Sequence, residues 1–297
     1  MLIQTRPALA QMGMFGLSIK IKASGSWQAI TPHVKVGGTW QRVKKAYAKA
    51  GGSWRTVYEY EWIYTFATGV HTDIDLDTLS GIDKYWNVKI VIPAGATLVA
   101  SSTSQYALRT GTGYNGTLRI ENNGSILGRG GNGGNGGSGY SHLTESSGSV
   151  GTNGGVAILV ECPVTIDNNA TISGGGAGGG GGAGAADDAA LFESNDYAAG
   201  GGGGGGAPYG LGGAKGTYGA GGANGNTASL TSAGSGGAGG VDDNNAFGGA
   251  GGSGGGLGAG GANGGNGAGN INSASGGGGG SAGAAYYNPN NHTVTQV

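Results

Sequence analysis

Side chains that could bind a cation or move a proton are few in this chain, and their spacing is informative. His71, Asp73, Asp75 and Asp77 alternate, which on a strand would set four potential ligands on one face. A calcium loop starting at Asp73 needs glycine at its sixth position and glutamate at its twelfth. The sequence has Thr78 and Lys84 there. The pattern therefore reads as a solvated acidic strand face. Asp187-Asp188 and Asp242-Asp243 each follow a glycine run and read as loop acids, with weak cation binding or a charged receptor contact as the sharper alternative. His33, His71, His142 and His292 are scattered, and no local sequence suggests a Ser/His/Asp arrangement. Matches to G-x-G-x-x-G are numerous but lack the strand before and helix after that a dinucleotide site requires. The expectation is a protein that is not an enzyme, with no cofactor and no metal.

Composition narrows the class further. The formal charge is -1, with 15 Lys and Arg against 16 Asp and Glu, and only 10% of residues are charged. A nucleic-acid partner, for which a basic stripe is expected, is disfavoured. The single Cys162 excludes an intrachain disulfide framework. No stretch reaches the roughly 18 apolar residues of a membrane span, so no membrane insertion is expected. The N-terminal apolar stretch is interrupted by Gln11, Gly13 and Gly16 and makes a poor secretion signal, which points to synthesis in a cytoplasm.

What must position any functional group is glycine. The chain holds 75 glycines, of which 61 lie from Gly128 onward. They fall in runs at 128–139, 174–184, 200–206, 210–225, 234–240, 248–269 and 276–283. Gly/Ser-rich chains are ordinarily flexible coils. These runs, however, are punctuated by Tyr140, Phe192, Tyr197, Tyr209, Tyr218, Phe247, Tyr286 and Tyr287, which a spacer does not need. Collagen fails on phase, since the glycines are contiguous and the chain has 6 prolines. Glycine as a packing residue remains. A polyproline II helix has three residues per turn and no internal hydrogen bonds, so bare helices can approach until their backbones bond to one another. The expected fold is a mainly β N-terminal and middle region followed by a bundle of antiparallel polyproline II helices, with very little α-helix. A run of ten would span about 31 Å.

Ahead of the glycine lies a tandem repeat. Lys22 to Ile30, Lys35 to Val43 and Lys49 to Val57 each read as a glycine turn and a short strand carrying Trp27, Trp40 or Trp54. The tryptophans either fill a small β core or serve as anchors, one unit per subunit, on an object with a threefold axis. A second repeat aligns 118–128 with 164–174, 46 residues on, and a looser copy covers 92–98. Its strand, Asn/Asp/Gly turn and second strand suggest β hairpins feeding the glycine runs. The expected domains are a Trp-repeat attachment domain at 1–65, a β platform at 66–127 and a glycine-rich domain at 128–297 with a β insert at 156–173.

Glycine runs alternating with short polar and aromatic segments, introduced by strand–Asn-Asn–strand units, resemble the adhesins at the tips of T-even-type bacteriophage long tail fibres. The resemblance covers roughly 118–297. It implies a monomeric adhesin on a trimeric fibre or tail-tip protein, part of the virion, with loops at the far end of the bundle binding a bacterial outer-membrane receptor. It also implies a receptor-facing set drawn from the segments between runs: Tyr140, His142, Asp187, Asp188, Phe192, Tyr197, Tyr209, Asp242, Asp243 and Phe247, with 284–297 among the candidate segments. Residues 1–65 depart from that family, looking more like segments of other phage tail proteins; on the threefold reading of the repeat, Trp27, Trp40 and Trp54 are the expected fibre-attachment residues. Two other readings stay open: a tail-tip protein in which the glycine domain is only a spacer, and an ice-binding bundle.

Overall fold

The computed structural model describes residues 19–23, 26–30, 32–140, 145–187, 196–242, 245–269 and 272–297. Among them there is no helix. The chain opens with three successive antiparallel hairpins: β1 (Ile19–Ala23) with β2 (Ser26–Ile30), β3 (His33–Val36) with β4 (Thr39–Arg42), and β5 (Lys45–Ala50) with β6 (Ser53–Glu59). Each register sets the repeat's lysine opposite its tryptophan: Lys22 and Trp27, Lys35 and Trp40, Lys49 and Trp54. Gly37-Gly38 and Gly51-Gly52 turn two of the hairpins with φ of 56° and 86°, and of 59° and 85°. A two-residue type I′ turn demands positive φ at both positions, so only glycine suits both. Trp40 is 67% exposed and Trp54 69%, so neither fills a core.

The chain then coils through three faces in turn. β7 (Glu61–Thr65), β8 (Gly69–Thr72) and β9 (Ile74–Asp75) form the first circuit. β10 (Asn87–Ile92), β11 (Ala96–Val99) and β12 (Leu108–Arg109) form the second, and β13 (Leu118–Asn122), β14 (Ser125–Leu127) and β15 (Ile158–Leu159) the third. β16 (Val164–Asn168) and β17 (Thr171–Ser173) begin a fourth. After the short strands β18 (Ala185–Asp187), β19 (Asp196–Ala198), β20 (Val241–Asp242), β21 (Ala246–Phe247) and β22 (Asn272–Ser273), it is closed by β23 (Tyr286–Tyr287) and followed by β24 (Val294–Gln296). The resulting parallel sheets run β7-β10-β13-β16-β24, β8-β11-β14-β17 and β9-β12-β15-β23. This is a three-sided β-helix.

The 46-residue repeat is the stacking register of that coil. Leu118, Ile120 and Asn122 lie beside Val164, Ile166 and Asn168, and Ile126 beside Ile172. The expected hairpins are therefore corners: the chain turns from one sheet into the next instead of folding back on itself. Period-two burial supplies the core. In β10, Val88, Ile90 and Ile92 point inward, joined by Leu98, Leu108, Leu118, Ile120, Ile126, Ile158 and Ile166. Asn122 is also buried, and its Nδ2 donates to Asn168 Oδ1 at 2.7 Å, one rung on. Ion pairs link rungs on the outside: Lys89 to Glu121 at 2.5 Å, Arg119 to Asp167 at 2.9 Å, and Arg109 to Asp75 at 3.3 Å and Glu161 at 2.6 Å.

The acidic quartet does not share a strand face. β8 ends at Thr72, and Asp73 turns the corner at φ 50° with Oδ1 accepting from the Ser101 amide at 2.8 Å. Asp75 pairs with Arg109, Asp77 with Lys84, and His71 Nε2 lies 2.8 Å from the Ala67 carbonyl. These groups brace the coil. Among the described residues no group of His, Cys, Asp and Glu could hold a metal ion. The tail, expected among the receptor-facing segments, returns to the coil: β23 pairs with β15 and β24 with β16.

The glycine runs leave the coil at two points, between β14 and β15 and between β17 and β23. Their amides bond to carbonyls of other runs every third residue. Gly131, Gly134 and Gly137 donate to Gly176, Gly179 and Gly182, while Gly130, Gly133 and Gly136 donate to Pro208, Leu211 and Ala214. The run at 174–184 bonds to six others: 128–140, 145–155, 196–207, 248–256, 259–266 and 276–283. The run at 200–206 is likewise ringed by 128–140, 174–184, 210–216, 220–226, 233–240 and 248–255. These two interior runs are the purest glycine in the sequence. A Cβ on Gly203 would lie 2.1 Å from the Gly179 carbonyl oxygen, and one on Gly181 1.9 Å from that of Asn135. Outer runs carry a polar side chain at every third position, and these close the lattice. Leu211, Ala214 and Thr217 amides donate to Asn132, Asn135 and Ser138 side chains, each at 2.9 Å. Ordering glycine costs more backbone entropy than ordering any other residue, about 1–2 kcal/mol each, and near-complete backbone pairing is what offsets it.

Candidate functional site

Following each run outward from the coil sorts the connections by end. The run from β14 reaches Tyr140, and 145–156 returns to β15; the run from β17 reaches β18, and 196–207 returns. The turn at 207–210 therefore lies near the coil, as do 229–232 and 257–259, where the Gly258 amide donates to the Gly174 carbonyl. Tyr140, β18, β19, 217–220, β20, β21 and β22 lie at the far end.

At that end glycine gives way to small strands. β18 pairs antiparallel with β19 and β22, and β20 with β21, around buried Ala185, Ala198 and Ala246. Small residues here let strand pairs follow directly from close-packed runs. The Tyr140 and Tyr218 rings sit 4.7 Å apart between centroids at 41°, both exposed. Phe247 and Val241, Cα partners across the β20–β21 hairpin, are exposed as well. Acids accompany the aromatics. Asp187 and Asp196 face each other across β18 and β19, both buried, and the Tyr197 amide donates to Asp242 Oδ2 at 2.9 Å. Burial pushes the Glu145 carboxyl above the usual carboxylate range, against the amides of Ala186 and Ala274. Among the described residues, the far end thus sets exposed aromatic and apolar side chains beside the carboxylates of Glu145, Asp187, Asp196 and Asp242.

Of the residues expected there, the structure brings together Tyr140, Asp187, Tyr197, Asp242 and Phe247. His142, Asp188, Phe192 and Asp243 lie outside the described residues. Tyr209 lies at the other end: its carbonyl accepts from Arg129 Nη2 at 2.8 Å, and Arg129 covers its ring at 5.4 Å. It serves the join to the coil. Sequence reasoning passed over Tyr218, and placed Glu145, Asp196 and Val241 within candidate segments without singling them out. The alternation of turns between two ends would have sorted Tyr209 from Tyr218, once counted from the first run. Of the attachment candidates, Trp27 lies in β2, Trp40 in β4 and Trp54 in β6, on hairpins outside the glycine bundle.

Residues 63–297 match the family model described as phage tail fibre adhesin Gp38. The chain belongs to that family of phage tail fibre adhesins. A solved structure described as the crystal structure of the gp37-gp38 adhesin tip complex of the bacteriophage S16 long tail fiber is 23% identical, over 81% of this chain and 79% of that one, with a TM-score of 0.49. No curated protein matches the sequence.

Proposed function

We propose that this protein is the host-recognition tip of a phage tail fibre, carried on the virion. Its far-end surface binds a component of the bacterial outer membrane, a surface protein being the receptor class favoured. The observation that carries this reading lies among the glycine runs and the connections between them, where the exposed aromatics among the described residues, Tyr140, Tyr218 and Phe247, all lie at the end remote from the coil. Aromatic side chains give large contact area at low conformational cost, which is what a recognition surface needs. In the same reading the glycine runs are antiparallel polyproline II helices. The three-residue recurrence of their hydrogen bonds supports this, because that helix has three residues per turn. Such a bundle is a rigid stalk whose tips vary at no cost to the backbone lattice. The domain division at 65 and 127 is part of the proposal, as is attachment of the Trp hairpins to a trimeric fibre.

Binding of the purified protein to intact Gram-negative cells of several strains tests the reading. Saturable binding that differs between strains is expected. Absence of binding to every strain, including the phage's own host, would leave the bundle as a structural spacer.

A further inference from the structure

Eight asparagines in this chain stand directly before a glycine: Asn115, Asn123, Asn132, Asn135, Asn153, Asn224, Asn263 and Asn266. In an open chain such a pair is reactive, because glycine has no side chain to shield its amide. The glycine amide nitrogen gives its proton to solvent and attacks Cγ of the asparagine. The Cγ–Nδ2 bond breaks, Nδ2 takes up a proton and leaves as ammonia, and a succinimide ring remains. Water opens that ring at either carbonyl to give aspartate or isoaspartate, with no change of oxidation state.

Six of the eight lie in glycine runs, and there both reacting groups are already engaged. Each of the six side-chain Oδ1 atoms accepts from an amide of a neighbouring run, at 2.8 to 3.0 Å. Each of the six following glycine amides donates to a carbonyl, at 2.8 to 3.1 Å. At Asn132 and Asn135 the two bonds meet one residue: Leu211 and Ala214 each donate to the side chain and accept from the next glycine. The pair is thus a two-pronged clamp between runs. On the coil, Asn123 Oδ1 accepts from Asn169 Nδ2 and the Gly124 amide donates to Asn122 Oδ1, both at 3.2 Å. Asn115 differs. It lies between β12 and β13, and its own amide donates to the Lys84 carbonyl at 2.9 Å. Among the described residues nothing bonds to its side chain or to the Gly116 amide. All six lattice asparagines are exposed, as Asn115 is, so access to water does not separate them.

We propose that Asn115 is the deamidation site of the folded chain, and that the hydrogen bonds holding the runs together keep the lattice asparagines inert. The bond to Oδ1 holds Cγ away from the glycine nitrogen, and the bond from that nitrogen keeps its proton. A bonded amide loses its proton to solvent only when the surrounding structure opens, the same limit that governs hydrogen exchange. The protection matters to the fold. Isoaspartate carries the main chain through an extra methylene, which would throw every later residue of a run out of the three-residue recurrence of its bonds. At Asn115, in a connection between strands, no such recurrence is at stake.

The test incubates the full chain at mildly alkaline pH, folded in one arm and unfolded in guanidinium chloride in the other. Digestion with pepsin in acid then halts the reaction, and peptide mass spectrometry follows conversion at each asparagine over time. Folded protein should convert at Asn115 at least about tenfold faster than at any of the other seven. In guanidinium chloride all eight should convert at rates within about fivefold of one another, since no lattice remains to distinguish them. An Asn115→Gln variant should lose the folded-state reaction and keep the wild-type Tm, because its longer side chain closes the ring far more slowly and breaks no bond. Conversion of the lattice asparagines in the folded chain at the Asn115 rate would overturn their protection. Conversion at Asn115 as slow as theirs would overturn its assignment as the reactive site. Lattice asparagines that stayed inert in guanidinium chloride would owe their stability to local sequence, which would overturn the hydrogen-bonded runs as the cause.

Discussion

Even a single Cβ, the smallest side chain, is more than most of the interior glycines can accommodate. Gly203→Ala would drive a methyl group to 2.1 Å from the Gly179 carbonyl and separate runs that share backbone bonds. Overpacking and stranded amides together should cost about 3 kcal/mol or more, on the order of 10 °C in Tm. Gly256→Ala, with nothing within 4 Å, should melt like wild type, and calorimetry of the two variants checks the contrast. On the coil, Glu121 is held below the usual carboxylate range by Lys89 and by Asn123. A carboxyl whose folded pKa is depressed stabilises fully above its unfolded value, about 4.3, and loses that contribution as pH falls through the folded value. Glu121→Gln should therefore lower Tm at pH 7 and narrow its gap to wild type towards pH 3. These roles were only half visible beforehand. Contiguous glycine announced close backbone approach, whereas the acidic quartet was misassigned because nothing local distinguishes a strand from a corner taken by Asp73.

At the scale of elements, the Asn-Asn turns of the 46-residue repeat show where reading a sequence reaches its limit. A hairpin and a β-helix corner use the same turn residues between the same kind of strand. What separates them is that Asn122 must bury its amide against Asn168, the same position one circuit later, which no single copy of the repeat reveals. Asn122→Ala would remove donations to Asn168 Oδ1 and to the Thr171 carbonyl, and the acceptor facing the Gly124 amide. A loss of about 2–3 kcal/mol is expected in urea unfolding of the coil. The hairpins behave oppositely. Trp40 is so exposed that Trp40→Ala should leave the melting curve of the free protein unchanged within about 0.5 kcal/mol, which thermal unfolding measures directly.

For the whole molecule, the mainly β class and the family were legible, because runs of one residue type and an in-register repeat are global signals, whereas the parallel coiling of the strands was not. Nor was the direction of each turn. It depends on the order in which runs leave and rejoin the coil, and that order is set by which strands pair, β15 with β23 and β16 with β24. Once it is known, Tyr209 belongs to the base and Tyr218 to the tip. The central claim is that recognition resides at the tip. The most direct measurement is cell binding by a Tyr140→Ser/Tyr218→Ser/Phe247→Ser variant beside a Leu211→Ser variant, which alters an exposed apolar residue near the base. The tip variant should lose binding to host cells at least about tenfold while keeping its Tm, and the base variant should bind as wild type. Undiminished binding by the tip variant, with loss in the base variant, would contradict the account.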